Sequence, residues 1–321
     1  MIEDAVLRDD WHVVAYAPDL PEATPVPARL LGEDIVLWRL GERVHAWRDL
    51  CVHRGTRLSL GSVRDGRLVC AYHGWTYDED GRCVHFPAHP GQTPPDKAHA
   101  TVYHARIAYD WVWVALGNPA RDVPVYGEWG EASFRKVHCG PYDVRASGPR
   151  TVENFLDVTH FPFVHQGLLG DQRYPEVNDY DVEPEGDGLV ARDITIWQPD
   201  PDGSGQPARV TYTYRVLRPL TAYFIKSSSG PRFAMFFAAT PVARDVTRVW
   251  MSVALDYGDQ TDQQIRDFED QIMRQDIPVV ESQRPELLPL DLQAELHLRS
   301  DRTALRYRRW LRELGVTFGT E

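Results

Sequence analysis

Two short runs of the sequence pair a thiol with an imidazole. Cys51-Val-His53 is followed, sixteen residues on, by Cys70-Ala-Tyr-His73. Two thiolates and two imidazoles can hold one tetrahedral zinc. They can also divide between the two irons of a [2Fe–2S] cluster, thiolates on one and imidazoles on the other. Zinc fingers usually keep like ligands together, whereas here each run carries one of each. A glycine follows closely in both, Gly55 and Gly74, so two loops can pinch a shared centre at the tip of a sheet. That distribution favours the cluster over zinc.

A second constellation lies in Glu153-Asn154-Phe155-Leu-Asp157-Val-Thr-His160-Phe-Pro162-Phe-Val-His165. Two neutral imidazoles plus one carboxylate make the facial set of non-haem Fe(II) oxygenases, which leaves positions open for O2. The spacing of Asp157 and His160 predicts one shared helical face. Pro162 disfavours helix just beyond, so the chain can turn and return His165 to the same point. Asp276, Asp291 and Asp301 are further carboxylates to weigh. Asp276 sits one turn beyond Ile272 and Met273 on the apolar face of its helix, where a charge needs a partner and a metal would serve. Asp301 opens the last helix on a stripe with Ala304 and Leu305 and is the second choice; a charge there also stabilises the helix dipole.

These residues need elements to hold them. Ile35–Trp38, Val44–Trp47, Leu68–Tyr72 and Trp111–Leu116 have the β-branched and aromatic make-up of strands. Asp80-Gly81 between Trp75–Tyr77 and Cys83–Phe86 signals a hairpin. A Pro/Gly-containing connector, Gly117 to Tyr126, divides this all-β part (1–117) from the rest (118–321). The second part begins with a helix over Val152–His160. Strand-like runs follow at Leu189–Trp197, Arg209–Leu217, Ala222–Lys226, Phe233–Ala239 and Arg248–Leu255, with a surface loop from Pro199 to Gly205. Thr261 and Gln264 form a capping-box pattern ahead of a helix that Pro278 should kink or end. Ser300 is the expected N-cap of a last helix that Gly315 stops. The fold class expected is α+β in two domains.

The chain has 321 residues, 43% apolar and 11% aromatic with ten Trp, enough for a sizeable core. A net charge of −12 disfavours nucleic acid and anionic membranes as partners. Phe233 to Ala239, the most apolar run, is too short to span a bilayer. Met1 to Tyr16 shows no basic stretch followed by an apolar one, so a cytoplasmic protein is expected. The four cysteines are too few to be a useful disulfide framework at this size. Cys83, Cys139 and the remaining histidines, including His85, His89 and His297, read as structural or surface residues.

Cys51-Val-His53-Arg-Gly and Cys70-Ala-Tyr-His73-Gly-Trp resemble the signature of Rieske-type non-haem iron oxygenases. Neither loop has the extra cysteine that forms a disulfide in respiratory Rieske proteins. The resemblance runs through Trp11-His-Val-Val-Ala, Trp111-Val-Trp-Val and Gln283-Arg-Pro. The length and the ending from Arg308 to Gly319 are especially similar to Rieske hydroxylases of saxitoxin-type alkaloid biosynthesis. More broadly, the chain is similar to homotrimeric monooxygenases such as dicamba and vanillate O-demethylases.

The resemblance implies a Rieske domain followed by a helix-grip catalytic domain. It implies a [2Fe–2S] cluster on Cys51, His53, Cys70 and His73, and a mononuclear Fe(II) on His160, His165 and Asp276, since Gln275–Gln283 looks like the family's ligand-bearing segment. Pro278 departs from that pattern. Asp157 matches the family's bridging Asp rather than a ligand, joining a neighbouring subunit's cluster His (His73) to His160 in a head-to-tail homotrimer. Asn154 matches a residue near the iron. No G-x-G-x-x-G lies between a strand and a helix, so a ferredoxin or flavin reductase must supply electrons. Hydroxylation of a small organic molecule is the expected reaction, with O- or N-demethylation as the alternative. A guanidinium alkaloid substrate is suggested by the resemblance alone. Phe155, Tyr223, Phe233, Met235 and Phe237 are the expected pocket lining. An electron-transfer protein would need no second iron; a zinc-stabilised binding protein would have no visible colour.

Overall fold

The computed structural model describes residues 4–227 and 230–321. The chain divides into two compact units between Val123 and Pro124, inside the Pro/Gly connector. After a one-turn helix α1 (Ala5–Arg8), the first unit lays down β1 (His12–Tyr16), β2 (Val26–Leu30), β3 (Glu33–Leu40) and β4 (Arg43–Arg48). A second, four-stranded sheet follows: β5 (Ser62–Arg64), β6 (Arg67–Val69), β7 (Thr76–Tyr77) and β8 (Cys83–His85). The chain then returns with β9 (Val102–Ala108) and β10 (Trp111–Ala115) to complete a six-stranded antiparallel sheet, β1-β10-β9-β4-β3-β2. Trp38, Trp47, Leu58, Leu68 and Tyr77 are fully buried in one core cluster with Cys51, Cys70 and Cys83. The strand expected over Leu68–Tyr72 stops at Val69, because Cys70 turns the chain into a loop instead of continuing the ladder.

The second unit is one antiparallel sheet of seven strands in the order β11-β17-β16-β15-β14-β13-β12. These are β11 (Arg135–Val144), β12 (Val182–Glu185), β13 (Gly188–Gln198), β14 (Ala208–Arg218), β15 (Thr221–Ser227), β16 (Arg232–Ala243) and β17 (Val246–Leu255). Helices α2 (Gly148–Leu156) and α3 (Phe161–Val164) follow β11, and α4 (Asp262–Ser282) and α5 (Arg302–Leu314) follow β17. Along β14, Val210, Tyr212, Tyr214 and Val216 are buried at alternate positions, the period-2 signature of a half-covered sheet. Helix α4 turns Ile265, Glu269, Ile272, Met273, Asp276 and Val280 inward. No helix among the described residues is long and apolar enough to cross a membrane.

Three expected helix boundaries differ. The helix starting near Val152 ends at Leu156, not His160: Asp157 is its extended C-cap, and the Asp157 carboxylate accepts the Thr159 N–H and hydroxyl, a local turn that competes with helix. Asp157 and His160 therefore do not share a helical face. Helix α4 runs through Pro278 to Ser282. Burial of Val280 beyond it and the Arg145–Glu281 pair hold the last turn, against a cost of about 3 kcal/mol for an interior proline. Ser300 is not an N-cap. It lies in a 3-10 turn, Arg299–Asp301, whose Asp301 carboxylate accepts the Leu298 N–H. Gly315 ends α5 in the left-handed region, as expected (φ 83°).

Candidate metal centres and substrate cavity

In the first unit, the two Cys/His loops are built the same way. The Cys51 N–H donates to the Thr56 carbonyl (2.8 Å) and the Gly55 N–H to the Cys51 carbonyl (2.9 Å). At the second loop, Cys70 donates to the Trp75 carbonyl (2.9 Å) and Gly74 to the Cys70 carbonyl (3.0 Å). Gly55 and Gly74 take positive φ, 74° and 69°, which closes both loops tightly. Both thiols are buried at 2% exposure, while His53 is partly exposed and His73 exposed. The imidazoles sit edge to face, 4.5 Å between centroids, with His53 stacked on Trp75 at 4.2 Å. The Tyr77 hydroxyl lies 3.1 Å from Cys51 Sγ. Burial pushes the Cys70 thiol up, so ligation has to remove its proton.

The four ligand atoms test the two candidate centres. On one zinc, with bonds near 2.1–2.3 Å, they would lie within roughly 4 Å of one another. Among the described residues the only His/Cys/Asp/Glu group gathered that closely is His160, His165 and Asp276. A binuclear cluster spaces its ligands more widely. It also accounts for the His53 Nδ1, which is buried with no hydrogen-bond partner among the described residues. Inner thiolates and outer imidazoles fit a [2Fe–2S] cluster of the Rieske type.

The second unit holds the other centre. Ser147 caps α2 by accepting the Arg150 N–H, with Pro149 in the first turn. Buried Arg150 and Arg308 tie α2 to α5 through Glu153 and Glu295. The turn after Asp157 then presents His160, and α3 brings back His165. His160 Nε2 and His165 Nε2 lie 3.2 Å apart. Asp276 Oδ1, from α4, is 3.4 Å from the first and 3.1 Å from the second. Ligands at about 2.1 Å from one ion, at angles between 90° and 109°, would be separated by roughly 3.0–3.4 Å.

The outer nitrogens are held as well. His160 Nδ1 faces Asp157 Oδ2 at 3.3 Å, and His165 Nδ1–H donates to Gln275 Oε1 at 2.8 Å. Protons on both Nδ1 atoms leave two Nε2 lone pairs pointing at Asp276 Oδ1, itself buried without a donor. Three lone pairs converging on one point call for a cation. Burial alone would lower His165, but the Asp276 carboxylate outweighs it and holds the imidazole above its ordinary value. Burial would likewise raise the Asp157 carboxyl; the bonds from His160 and Thr159 outweigh it and keep it below the usual range. Asp291 and Asp301 take no part in this group.

The triad opens onto a cavity of about 340 Å³. Asn154, Phe155, Phe233, Met235 and Phe237 line it, with Phe224 added. Phe155 stacks on Phe237 (4.3 Å) and Phe224 (5.5 Å), and Phe224 on Phe233 (5.9 Å), giving an aromatic wall of stacked rings. Tyr223 does not line it. In the β15–β16 register Phe224 opposes Met235 whereas Tyr223 opposes Phe236, so Tyr223 points to the other face and its hydroxyl donates to Glu128. Gln275, Glu269 and Lys226 escaped the sequence reading, although asking what holds the outer nitrogen of His165 points to a neighbour such as Gln275. The Pro199–Gly205 loop, expected to be plain surface, contributes Asp200, Pro201, Asp202 and Gly203 to the cavity.

Residues 10–102 match the Rieske [2Fe-2S] domain family, and residues 144–317, more than half the chain, match the vanillate O-demethylase oxygenase C-terminal domain family. Methylxanthine N1-demethylase NdmA of Pseudomonas putida is 31% identical over 97% of this chain and 90% of its own length. Methylxanthine N3-demethylase NdmB of the same species is 30% identical over 99% and 92%. The solved structure of Pseudomonas putida CBB5 NdmA with caffeine superposes with a TM-score of 0.87 at 30% identity, covering 96% of this chain and 91% of that one. The chain belongs to the Rieske non-haem iron oxygenases. It is the oxygenase component of a monooxygenase, and its cofactors are the [2Fe–2S] cluster and a mononuclear iron. A pure electron carrier or a zinc-stabilised binder is thereby set aside. The oxygenase spans nearly the full length of both relatives.

Proposed function

We propose that this Rieske oxygenase hydroxylates a C–H bond of a small, flat, largely apolar molecule bound against the Phe155–Phe237 wall. His160, His165 and Asp276 would hold the mononuclear iron, and Cys51, His53, Cys70 and His73 the cluster. When bound, the cluster supplies electrons one at a time and the ferrous iron supplies O2 activation. The remaining work belongs to side chains. Asp157 and Gln275 orient the two imidazoles through their Nδ1 protons. The aromatic wall positions the substrate and keeps water from the reacting C–H. Asn154 lies at the same cavity and is placed to touch either substrate or the open face of the triad.

Hydroxylation and demethylation are one reaction at this level. A methyl group on nitrogen or oxygen, once hydroxylated, loses formaldehyde and leaves N–H or O–H. Which product appears is decided by the substrate atom beside the triad. The relatives' names, methylxanthine demethylases, make an N-methyl heterocycle the first substrate class to try.

The electron path is read as intermolecular, in a head-to-tail homotrimer fed by a ferredoxin or flavin reductase. Asp157 supports this: 37% of its side chain is exposed although Oδ1 accepts from Thr159 and Oδ2 faces His160, and a lone pair left on Oδ2 can accept a bond from a second copy's His73. The single observation carrying the function is the two-His, one-Asp group opening onto an aromatic cavity. The test is to reduce the protein anaerobically, add O2 with N-methyl heterocycles and aromatic ethers, and read products by mass spectrometry. Substrate-dependent O2 consumption and an added oxygen or a lost methyl are expected. Cluster oxidation with no product from any substrate would remove the proposal.

A further inference from the structure

One carboxylate in the cavity has no task in the metal site. Glu269 faces inward from α4, is only 4% exposed, and makes no hydrogen bond or ion pair with any described residue. A buried charge without a partner costs several kcal/mol unless something compensates it. Burial pushes its carboxyl up to about 7, and the Lys226 ammonium nearby offsets that only in part. Two further wall groups are orphaned in the same way: Gln198 Oε1 and the Tyr214 hydroxyl are buried with no hydrogen-bond partner among the described residues. Every one of these three can accept a hydrogen bond.

Charge points the same way. The cavity lining holds the carboxylates of Asp200, Asp202, Glu269 and Asp276 against a single ammonium among the described residues, Lys226. Lys226 is already engaged: its Nζ donates to the Pro201 carbonyl (2.7 Å) and sits over the Phe233 ring (4.9 Å). Counting a divalent iron, the lined volume remains net acidic.

We propose that Glu269 is the substrate-recognition residue, and that the substrate is a small organic cation whose N–H groups, ammonium, amidinium or guanidinium, meet the Glu269 carboxylate while its flat apolar body lies on the phenyl wall. This rests on the cavity being the oxygenase's substrate site. Position sets the substrate's size. Glu269 and Asp276 are seven residues apart on one face of α4, about 10.5 Å along the axis. That axial span confines the substrate to a small molecule.

The test is calorimetric titration of the metal-loaded enzyme, without O2 or reductant, using benzamidinium and phenylguanidinium, their uncharged shape-match isopropylbenzene, and benzoate. Wild-type enzyme binds the two cations more tightly than isopropylbenzene and benzoate least well. Glu269→Gln weakens both cations ~10-fold or more, the range expected for a charge-assisted bond, with isopropylbenzene unchanged. Glu269→Leu reverses the order, so that isopropylbenzene binds best. Cations that bind the wild type no better than isopropylbenzene, or bind Glu269→Gln as well as wild type, overturn the proposal. Iron and acid-labile sulfide are assayed on every sample. Absent iron contradicts the oxygenase assignment, whereas full iron with cation affinity indifferent to Glu269 contradicts this inference alone.

Discussion

Replacing Gln275 with leucine removes one hydrogen bond and little volume, which makes it a sharp probe of how the iron site is held. His165 has no exposed surface, so no water can take over as acceptor for its Nδ1–H. Two outcomes are open to the imidazole, and both weaken metal binding. It can keep the Nδ1 proton unsatisfied, at about 1–3 kcal/mol. Or the proton can move to Nε2, 3.1 Å from Asp276 Oδ1, which leaves the only lone pair on Nδ1, turned away from the metal. Loss of an outer partner of this kind typically lowers metal affinity about 10–100-fold, or roughly 1.4–2.7 kcal/mol, which agrees with the hydrogen-bond figure. The assay is anaerobic competition for Fe(II) against a chromophoric chelator, with the cluster's visible spectrum as internal reference. Gln275→Leu should release iron at ~10-fold lower chelator concentration or below, with the cluster spectrum intact. Gln275→Glu, which keeps an acceptor and adds charge, should hold iron at least as tightly as wild type. Wild-type iron affinity in the leucine variant would refute the argument that Gln275 fixes the His165 tautomer.

Other perturbations separate the parts of the site. Asp157→Asn should retain cluster and iron, by metal analysis and visible spectrum, yet lose most turnover; normal turnover would eliminate the bridging role. Tyr223→Phe should leave Glu128 unpaired and lower stability by about 1–2 kcal/mol in denaturant titrations, with KM unchanged because the ring faces away from the cavity; a raised KM would place Tyr223 in the pocket after all. Glu269→Gln should raise stability at neutral pH and above. With a folded-state carboxyl at about 7 against an ordinary value of 4.5, the native protein binds more protons than the unfolded chain between those values, so wild-type stability falls as pH rises from 4.5 to 7. Removing the charge should recover on the order of 2 kcal/mol above pH 7 and nothing near pH 4, and a pH-independent difference would show that the carboxylate is not strained by burial.

Chemistry-bearing residues were legible in the sequence because their identity and spacing are nearly sufficient. The paired Cys/His runs need only a tight turn each, and Gly55 and Gly74 announce it. His160 and His165 stand out as a close pair of imidazoles beyond the Cys/His runs and Asp276 as a charge on the apolar stripe of α4, and only the family resemblance joins the three into one ligand set. What remained hidden depends on register and on competition between local structures. Tyr223 is an expected cavity residue by its aromatic type and its strand, and only the Phe224–Met235 pairing reveals that it faces the other side of the sheet. Asp157 was put on a helix because its spacing from His160 suits one, but its carboxylate bonds Thr159 and ends the helix first. Pro278 is expected to kink or end the helix; it does not end it, because the packing of Val280 and Glu281 carries α4 on to Ser282. Glu269 and Lys226 lie far from any motif, and their burial in one cavity is a property of the tertiary fold.

The central claim is that each chain carries a sulfide-bridged iron pair and a separate ferrous ion, held by different residues. Iron and acid-labile sulfide measured on wild type beside His165→Ala tests it most directly. Wild type should give roughly three irons for two sulfides, and His165→Ala should lose about one iron with sulfide and the visible spectrum unchanged. Zinc in place of iron, iron without sulfide, or an unchanged iron count in the variant would contradict it.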